Sequence, residues 1–357
     1  MKKIIKKPVP IFIIASLVVG LLLGMNFDTN VAANKGNTLK AVTKQEALRC
    51  GIHSAGLLGF AKQNDDGSWE GIDIAVCEAV AAAVLRDKEK IRYRNLSSKE
   101  RFTALTSGEI DILSRNTTFT LSRDTDLRLT FMPPNYYDGQ GFMIGRRLIN
   151  RGVQSARQLI GARICVQAGT TTELNMADYF RANNIKVVPI VIDDNNVAMQ
   201  NLIAGKCDAY TSDRSGLAAS RVSQKNPNNY QILPEVISKE PLAPAVREGD
   251  DSWANIVRWV VYAMIYAEEK NITSKNIDEI MESGEHADPE VNRFLGLAGE
   301  DTGRYIGLDG RWAYRIIKQV GNYGEVYRKY INPLGLGKRG LNDLYTRGGL
   351  MYAPPFR

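Results

Sequence analysis

The chain has 357 residues, enough for two domains with a full core each, and its balance of apolar and charged residues excludes a disordered protein. Its formal charge is +7, but Lys2, Lys3, Lys6 and Lys7, set against Asp28, place +3 of that in the first 33 residues. The remaining basic residues are scattered and do not interleave with aromatics, which argues against nucleic-acid binding.

The leading lysines precede an apolar run from Ile11 to Leu23 and then Val31-Ala32-Ala33. A basic start, a short apolar segment and small residues before a cut read as a secretory signal peptide, 1–33, cleaved near Ala33. The run is short for a membrane span, though an uncleaved anchor is the alternative. No cysteine lies near the cut, which argues against a lipid anchor. The four cysteines are Cys50, Cys77, Cys165 and Cys207. Export permits disulfides, and their places in the chain favour Cys50 with Cys77 and Cys165 with Cys207; buried free thiols stay open as the alternative. With His53 and His286 the only histidines and no C-x-x-C spacing, neither a zinc site nor any other cofactor is expected.

Leu48 to Ile52 reads as a first strand, and Ile74 to Leu85 as a helix with Asp73 as its N-cap. A strand from Ile91 to Arg94 follows. Phe102 and Leu105 suit one apolar face of a helix that Gly108 stops, and Ile110, Ile112 and Leu113 suit a short buried strand. Next comes a dense polar run, Ser114 to Arg123, with Thr120 or Ser122 placed to cap a short helix. Its hydroxyls, its amide and the Arg123 guanidinium could hold a small anion; a capped surface turn explains them equally well.

A second α/β unit opens near Ser155: strand 161–166, helix from Gly169 to Phe180, strand 186–192, helix 195–203, and a strand from Cys207 that ends at Asp213. Thr171 and Thr172 sit at a helix start, where negative charge is favoured. Asp213 is either a binding carboxylate or a helix cap. Trp253 to Glu268 and Trp312 to Val320 read as helices, while the tail to Pro355 is irregular. The letters of GxGxxG at Gly335 to Gly340 follow no strand and open no helix, so they carry no nucleotide site.

Gly71-Ile-Asp73, Gly108-Glu-Ile-Asp111, Thr118 to Arg123, Gln167-Ala-Gly-Thr-Thr171 and Cys207-Asp208-Ala209 through Asp213 occur in an order that resembles the polar-amino-acid family of periplasmic solute-binding proteins of ABC transporters. Arg115-Asn-Thr-Thr118, Tyr136-Tyr-Asp-Gly-Gln-Gly141, Gly321-Asn-Tyr-Gly-Glu325 and the tail from Arg339-Gly-Leu-Asn342 resemble its general amino-acid-binding subgroup. The resemblance implies a type II, two-lobed α/β fold: lobe 1 over 34–140, lobe 2 over 141–238, and 239–357 returning to lobe 1 with a helical extension. Crossings are expected near Tyr136 to Gly141 and Val236 to Pro241. It further implies that Arg123 pairs with a ligand α-carboxylate and Asp213 with its α-ammonium, while Asn116, Thr118, Thr171 and Thr172 add contacts. Where relatives place aromatic walls this chain has Leu57 and Ser98, which implies a loose pocket and a broad ligand range.

The expected protein is a monomeric periplasmic receptor for free L-amino acids that serves an inner-membrane ABC permease. An exported lyase or dehydratase on the same scaffold, or a ligand receptor for a chemosensory partner, are the alternatives. No nucleophile–base pair is legible, which disfavours the enzyme.

Overall fold

A computed structural model of the chain describes residues 37–54 and 56–357. The expected signal peptide lies outside the described residues. Two five-stranded sheets organise the rest. In the first, strand Leu48–His53 runs parallel to Ile91–Leu96 on one side and to Ile112–Leu113 on the other. Ala245–Arg247 then pairs antiparallel with Ile112–Leu113 and Leu129–Phe131. In the second, Val188–Ile192, Arg163–Gln167 and Ala209–Asp213 are parallel, and Gln140–Gly145 joins antiparallel beside Tyr230–Ile232. Two strands connect the lobes, Tyr136–Asp138 and Glu240–Leu242, hydrogen-bonded to each other antiparallel. This is the two-lobed α/β fold.

The helix Ile72–Leu85 is apolar nearly all round, a pattern that demands burial on every side. It packs between the first sheet and two helices that arrive late in the chain, Asp251–Glu269 and Trp312–Gln319. Asp73 does not cap it. The cap is Gly71, at φ 137°, where a Cβ would lie 2.1 Å from the Phe60 carbonyl oxygen. Asp73 is instead buried in the first turn.

Each lobe carries the same brace. Arg49 Nε donates to Asp111 Oδ2 at 3.1 Å and its Nη1 to the Gly108 carbonyl at 2.8 Å. Arg163 Nε donates to Asp208 Oδ2 at 3.2 Å and its Nη2 to the Gly205 carbonyl at 2.6 Å. In both cases an arginine that opens a strand grips the aspartate of a Gly-x-x-Asp loop. Each lobe also has its own disulfide, Cys50–Cys77 and Cys165–Cys207. None of these links joins one lobe to the other.

The C-terminal extension wraps the first lobe. Arg339 lies between the rings of Tyr323 and Tyr327 and donates to both oxygens of buried Glu268, at 2.5 and 3.1 Å. Asn342 reaches the first crossing strand: its Oδ1 accepts from Tyr137 N at 2.6 Å and its Nδ2 donates to Tyr137 O at 2.9 Å. The helix Arg214–Val222 of the second lobe turns Ala218 and Ala219 into the same core that holds Leu334 of the extension. Gly335 to Gly340 lies between short turns and opens no α-helix.

Candidate ligand-binding cleft

Between the lobes lies a small polar cavity. Asn116 and Thr118 line it from the first lobe, and Thr171, Thr172 and Asp213 from the second. Arg123 is buried just behind that surface: its Nη1 donates to the Thr118 carbonyl at 2.8 Å and its guanidinium rests on the Phe102 ring. Thr120 caps its short helix by accepting from Arg123 N, so the cap and the guanidinium are fixed together.

The polar loop is shaped from below. Asp73 Oδ2 accepts from Asn116 N at 2.7 Å and its Oδ1 from Asn135 Nδ2 at 3.0 Å. Those bonds hold Asn116 at φ 30°, a left-handed conformation that costs most residues more than asparagine. Burial pushes the Asp73 carboxyl up to about 6, opposed by its hydrogen bonds from Asn135 and Asn116 and by Arg115. Thr118 and Phe119 are pinned to the second crossing strand, Phe119 N donating to the Pro241 carbonyl at 2.9 Å.

Asp213 ends its strand and precedes helix Arg214–Val222, but its side chain makes no capping hydrogen bond. Its Oδ1 is buried and has no hydrogen-bond partner. Burial, then the nearby Asp138 and Glu240, hold its carboxyl well above the ordinary range, while Arg123 and Arg101 work the other way. A desolvated acceptor of this kind calls for a hydrogen-bond donor, and a cation with hydrogens to give would also offset its charge.

The opposite wall is basic. Arg101 and Arg115 both line the cavity and both are buried. Arg115 Nε donates to the Leu96 carbonyl at 2.8 Å and Nη2 to Ser98 Oγ at 3.2 Å. Arg101 Nη1 reaches Thr117 Oγ1 at 3.3 Å, and its Nε has no partner. The Phe102 ring carries the Arg101 guanidinium at 4.7 Å and that of Arg123 at 5.1 Å. His53 ends its strand, and it lines the cavity with its Nε2 3.4 Å from Asn195 Nδ2. Burial, then Arg115 and Arg101, push the imidazole well below its usual value, so it is neutral at pH 7.

Sequence reasoning did not single out Arg101, Asn195 or His53 as cleft residues. Arg101 left one signal: it opens a helix, where a cation opposes the helix dipole and needs another reason to be there. Ser98 lines the cavity as a missing aromatic wall would imply. Leu57 is buried in the first-lobe core and is not part of the lining. The wall that replaces the aromatics is cationic rather than merely open.

Residues 48–288 match the model of the bacterial extracellular solute-binding proteins, family 3. The chain is 52% identical over 328 residues to the glutamate/glutamine/aspartate/asparagine-binding protein BztA of Rhodobacter capsulatus, covering 91% of this chain and 95% of that one. It is 50% identical over 330 residues to the general L-amino acid-binding periplasmic protein AapJ of Rhizobium johnstonii, covering 91% and 94%. A solved periplasmic binding protein from Brucella ovis, with glutathione bound, superposes with a TM-score of 0.85 at 49% identity, over 90% of this chain and 99% of that one. The two-lobed fold is therefore that of a known family, and the chain belongs to the bacterial extracellular solute-binding proteins, family 3.

Proposed function

We propose that the protein captures free L-amino acids outside the cytoplasm, closes its lobes on the zwitterionic head group and delivers the loaded form, as a monomer, to an inner-membrane ABC permease. The observation that carries this reading is the buried, unpartnered Oδ1 of Asp213 in a cavity otherwise walled by arginine, hydroxyl, amide and imidazole groups. Asp213 takes the α-ammonium and Arg123 the α-carboxylate. Asn116, Thr118, Thr171 and Thr172 complete the head-group site. With the cation binder on one lobe and the anion binder on the other, a ligand gains both contacts only when the lobes meet, so it favours closure.

Arg101, Arg115 and the neutral His53 face the side chain. They favour ligands whose side chain ends in hydrogen-bond acceptors, a carboxylate or a carboxamide. The names of the two relatives, one broad and one centred on glutamate, glutamine, aspartate and asparagine, support a broad receptor with that bias. Glutathione, bound by the Brucella relative, carries a γ-glutamyl head with the same zwitterion.

The test is a thermal-shift panel of the twenty L-amino acids and glutathione on protein refolded from denaturant to strip bound ligand. A ligand held only by the folded state raises the melting point, by about 2.7 kcal/mol of stability at a hundredfold excess over Kd. We expect shifts from many amino acids, largest for the acidic and amide ones, and none in Arg123→Ala. No shift from any amino acid overturns the reading.

A further inference from the structure

Glu240, on the second crossing strand, is a buried carboxylate in an unusual setting. Among the described residues no lysine or arginine lies within ion-pair distance of it. Four neutral donors fill it instead. Thr118 Oγ1 donates to Oε2 at 2.6 Å and Thr171 Oγ1 to the same oxygen at 3.1 Å. Ser238 Oγ and Asn175 Nδ2 donate to Oε1 at 2.6 and 2.8 Å. Thr118 belongs to the first lobe, Thr171 and Asn175 to the second, and Ser238 to the crossing. One side chain therefore holds both lobes and the joint between them.

We propose that Glu240 is a positioning residue that fixes the hydrogen-bond polarity of the head-group site, and so makes an α-ammonium a requirement for binding. A hydroxyl has one proton to donate and lone pairs to accept with. Each oxygen of Glu240 already accepts two hydrogen bonds, so the carboxylate acts as an acceptor throughout. Thr118 and Thr171 spend their protons on it, and their oxygens stand 3.4 Å apart. What they can offer the cleft is lone pairs alone. Together with Asp213 Oδ1 and the unpartnered Asn116 Oδ1 they form a cluster of acceptors. A group with three N–H donors satisfies such a cluster; a hydroxyl, with one proton, leaves acceptors unpaired.

The same bonds tie polarity to closure. Glu240 can orient both hydroxyls at once only when the two lobes are together, so the site selects for ammonium in the closed form. This inference rests on the amino-acid reading, and it adds which chemical relatives of an amino acid are refused. The 2-hydroxy acid analogue differs from the amino acid at the one atom that Glu240 controls through the threonines.

The experiment compares L-glutamate with L-2-hydroxyglutarate by calorimetry on wild type, Glu240→Gln and Thr171→Val. The melting point of each ligand-free variant reports its folding. In Glu240→Gln the amide can donate to a threonine and turn it round. We expect the preference for glutamate over the hydroxy acid to fall by roughly tenfold or more, the scale of one hydrogen bond to a charged group. Thr171→Val, which keeps Glu240 but removes one acceptor, lowers the same ratio. Equal weakening of both ligands, with the ratio unchanged, gives Glu240 a purely structural role and overturns the proposal. A wild-type protein that binds no amino acid overturns the amino-acid reading and, with it, this proposal, whereas an unchanged ratio overturns the proposal alone.

Discussion

Asp213 is a residue kept at a disadvantage. Burial holds its carboxyl well above the ordinary range, with Asp138 and Glu240 adding to the effect. The folded protein therefore keeps a proton that the unfolded chain gives up near pH 4. As pH rises from there through the folded-state value, ionised Asp213 subtracts from the stability of the ligand-free protein. Asp213→Asn removes that penalty. We expect the ligand-free variant to be more stable than wild type at pH 7, by about 1–2 kcal/mol, with the gap closing below pH 4. Its ligand-induced shift should vanish in the same samples. Calorimetry at pH 4 and pH 7, with and without glutamate, reads both; a variant less stable at pH 7 would show that Asp213 is well satisfied in the empty cleft. The position of Asp213 after a strand and of Arg123 within a polar run was legible in the sequence. Arg101 and Glu240 were not singled out, because neither local pattern nor spacing reports which lobe a side chain will face.

At the scale of elements, the first crossing strand depends on a residue two hundred positions away. Tyr137 stands opposite Pro241, which has no N–H to give, so the polar groups of Tyr137 turn away from its partner strand. The side-chain amide of Asn342 meets them, donor to acceptor and acceptor to donor, much as a third strand would. Asn342→Ala leaves both groups without a protein partner. We expect a loss of about 1–3 kcal/mol and faster hydrogen exchange at the Tyr137 amide, while the residues lining the cleft stay in place. Unchanged exchange at Tyr137 would sink the idea. Most strands and helices of the two α/β units were legible because their apolar residues repeat at the strand or helix period. The tail was not: its short turns have no period, and what orders them is contact with Glu268, Tyr137 and the first-lobe core. Asp73 was misread as a cap for the opposite reason. Its sequence context fits a cap, and only the approach of the Phe60 carbonyl shows why glycine must take that place.

Over the whole molecule, the extension is part of the first lobe rather than an appendage. Glu268 is 5% exposed and takes both Arg339 and Arg347, while Gly324 passes so close that a Cβ there would lie 2.6 Å from its Cδ. Glu268→Gln leaves Arg339 charged and half-hidden between two tyrosines. Breaking such a pair from one side costs about 3 kcal/mol or more. We expect the melting point to fall and the first lobe and extension to unfold in one transition; a separate early transition for the tail would show that it folds on its own. The repeated strand–helix order made two lobes legible. The contact of Ala218 and Ala219 with the extension was not, since small residues inside a helix carry no mark of what they touch.

That contact also decides how the two bodies can turn. Tyr136 and Leu242 of the crossing strands, Ala218 and Ala219 of the second lobe and Leu334 of the extension all belong to one continuous core. Any rotation that keeps this core packed must run about an axis through it, as a gate swings on its post. Lys99 and Asp193, whose ion pair closes the exposed lip between the lobes, are carried on the free edge of the gate. A rotation about that post would part Lys99 from Asp193 while leaving the apolar packing beside the hinge whole.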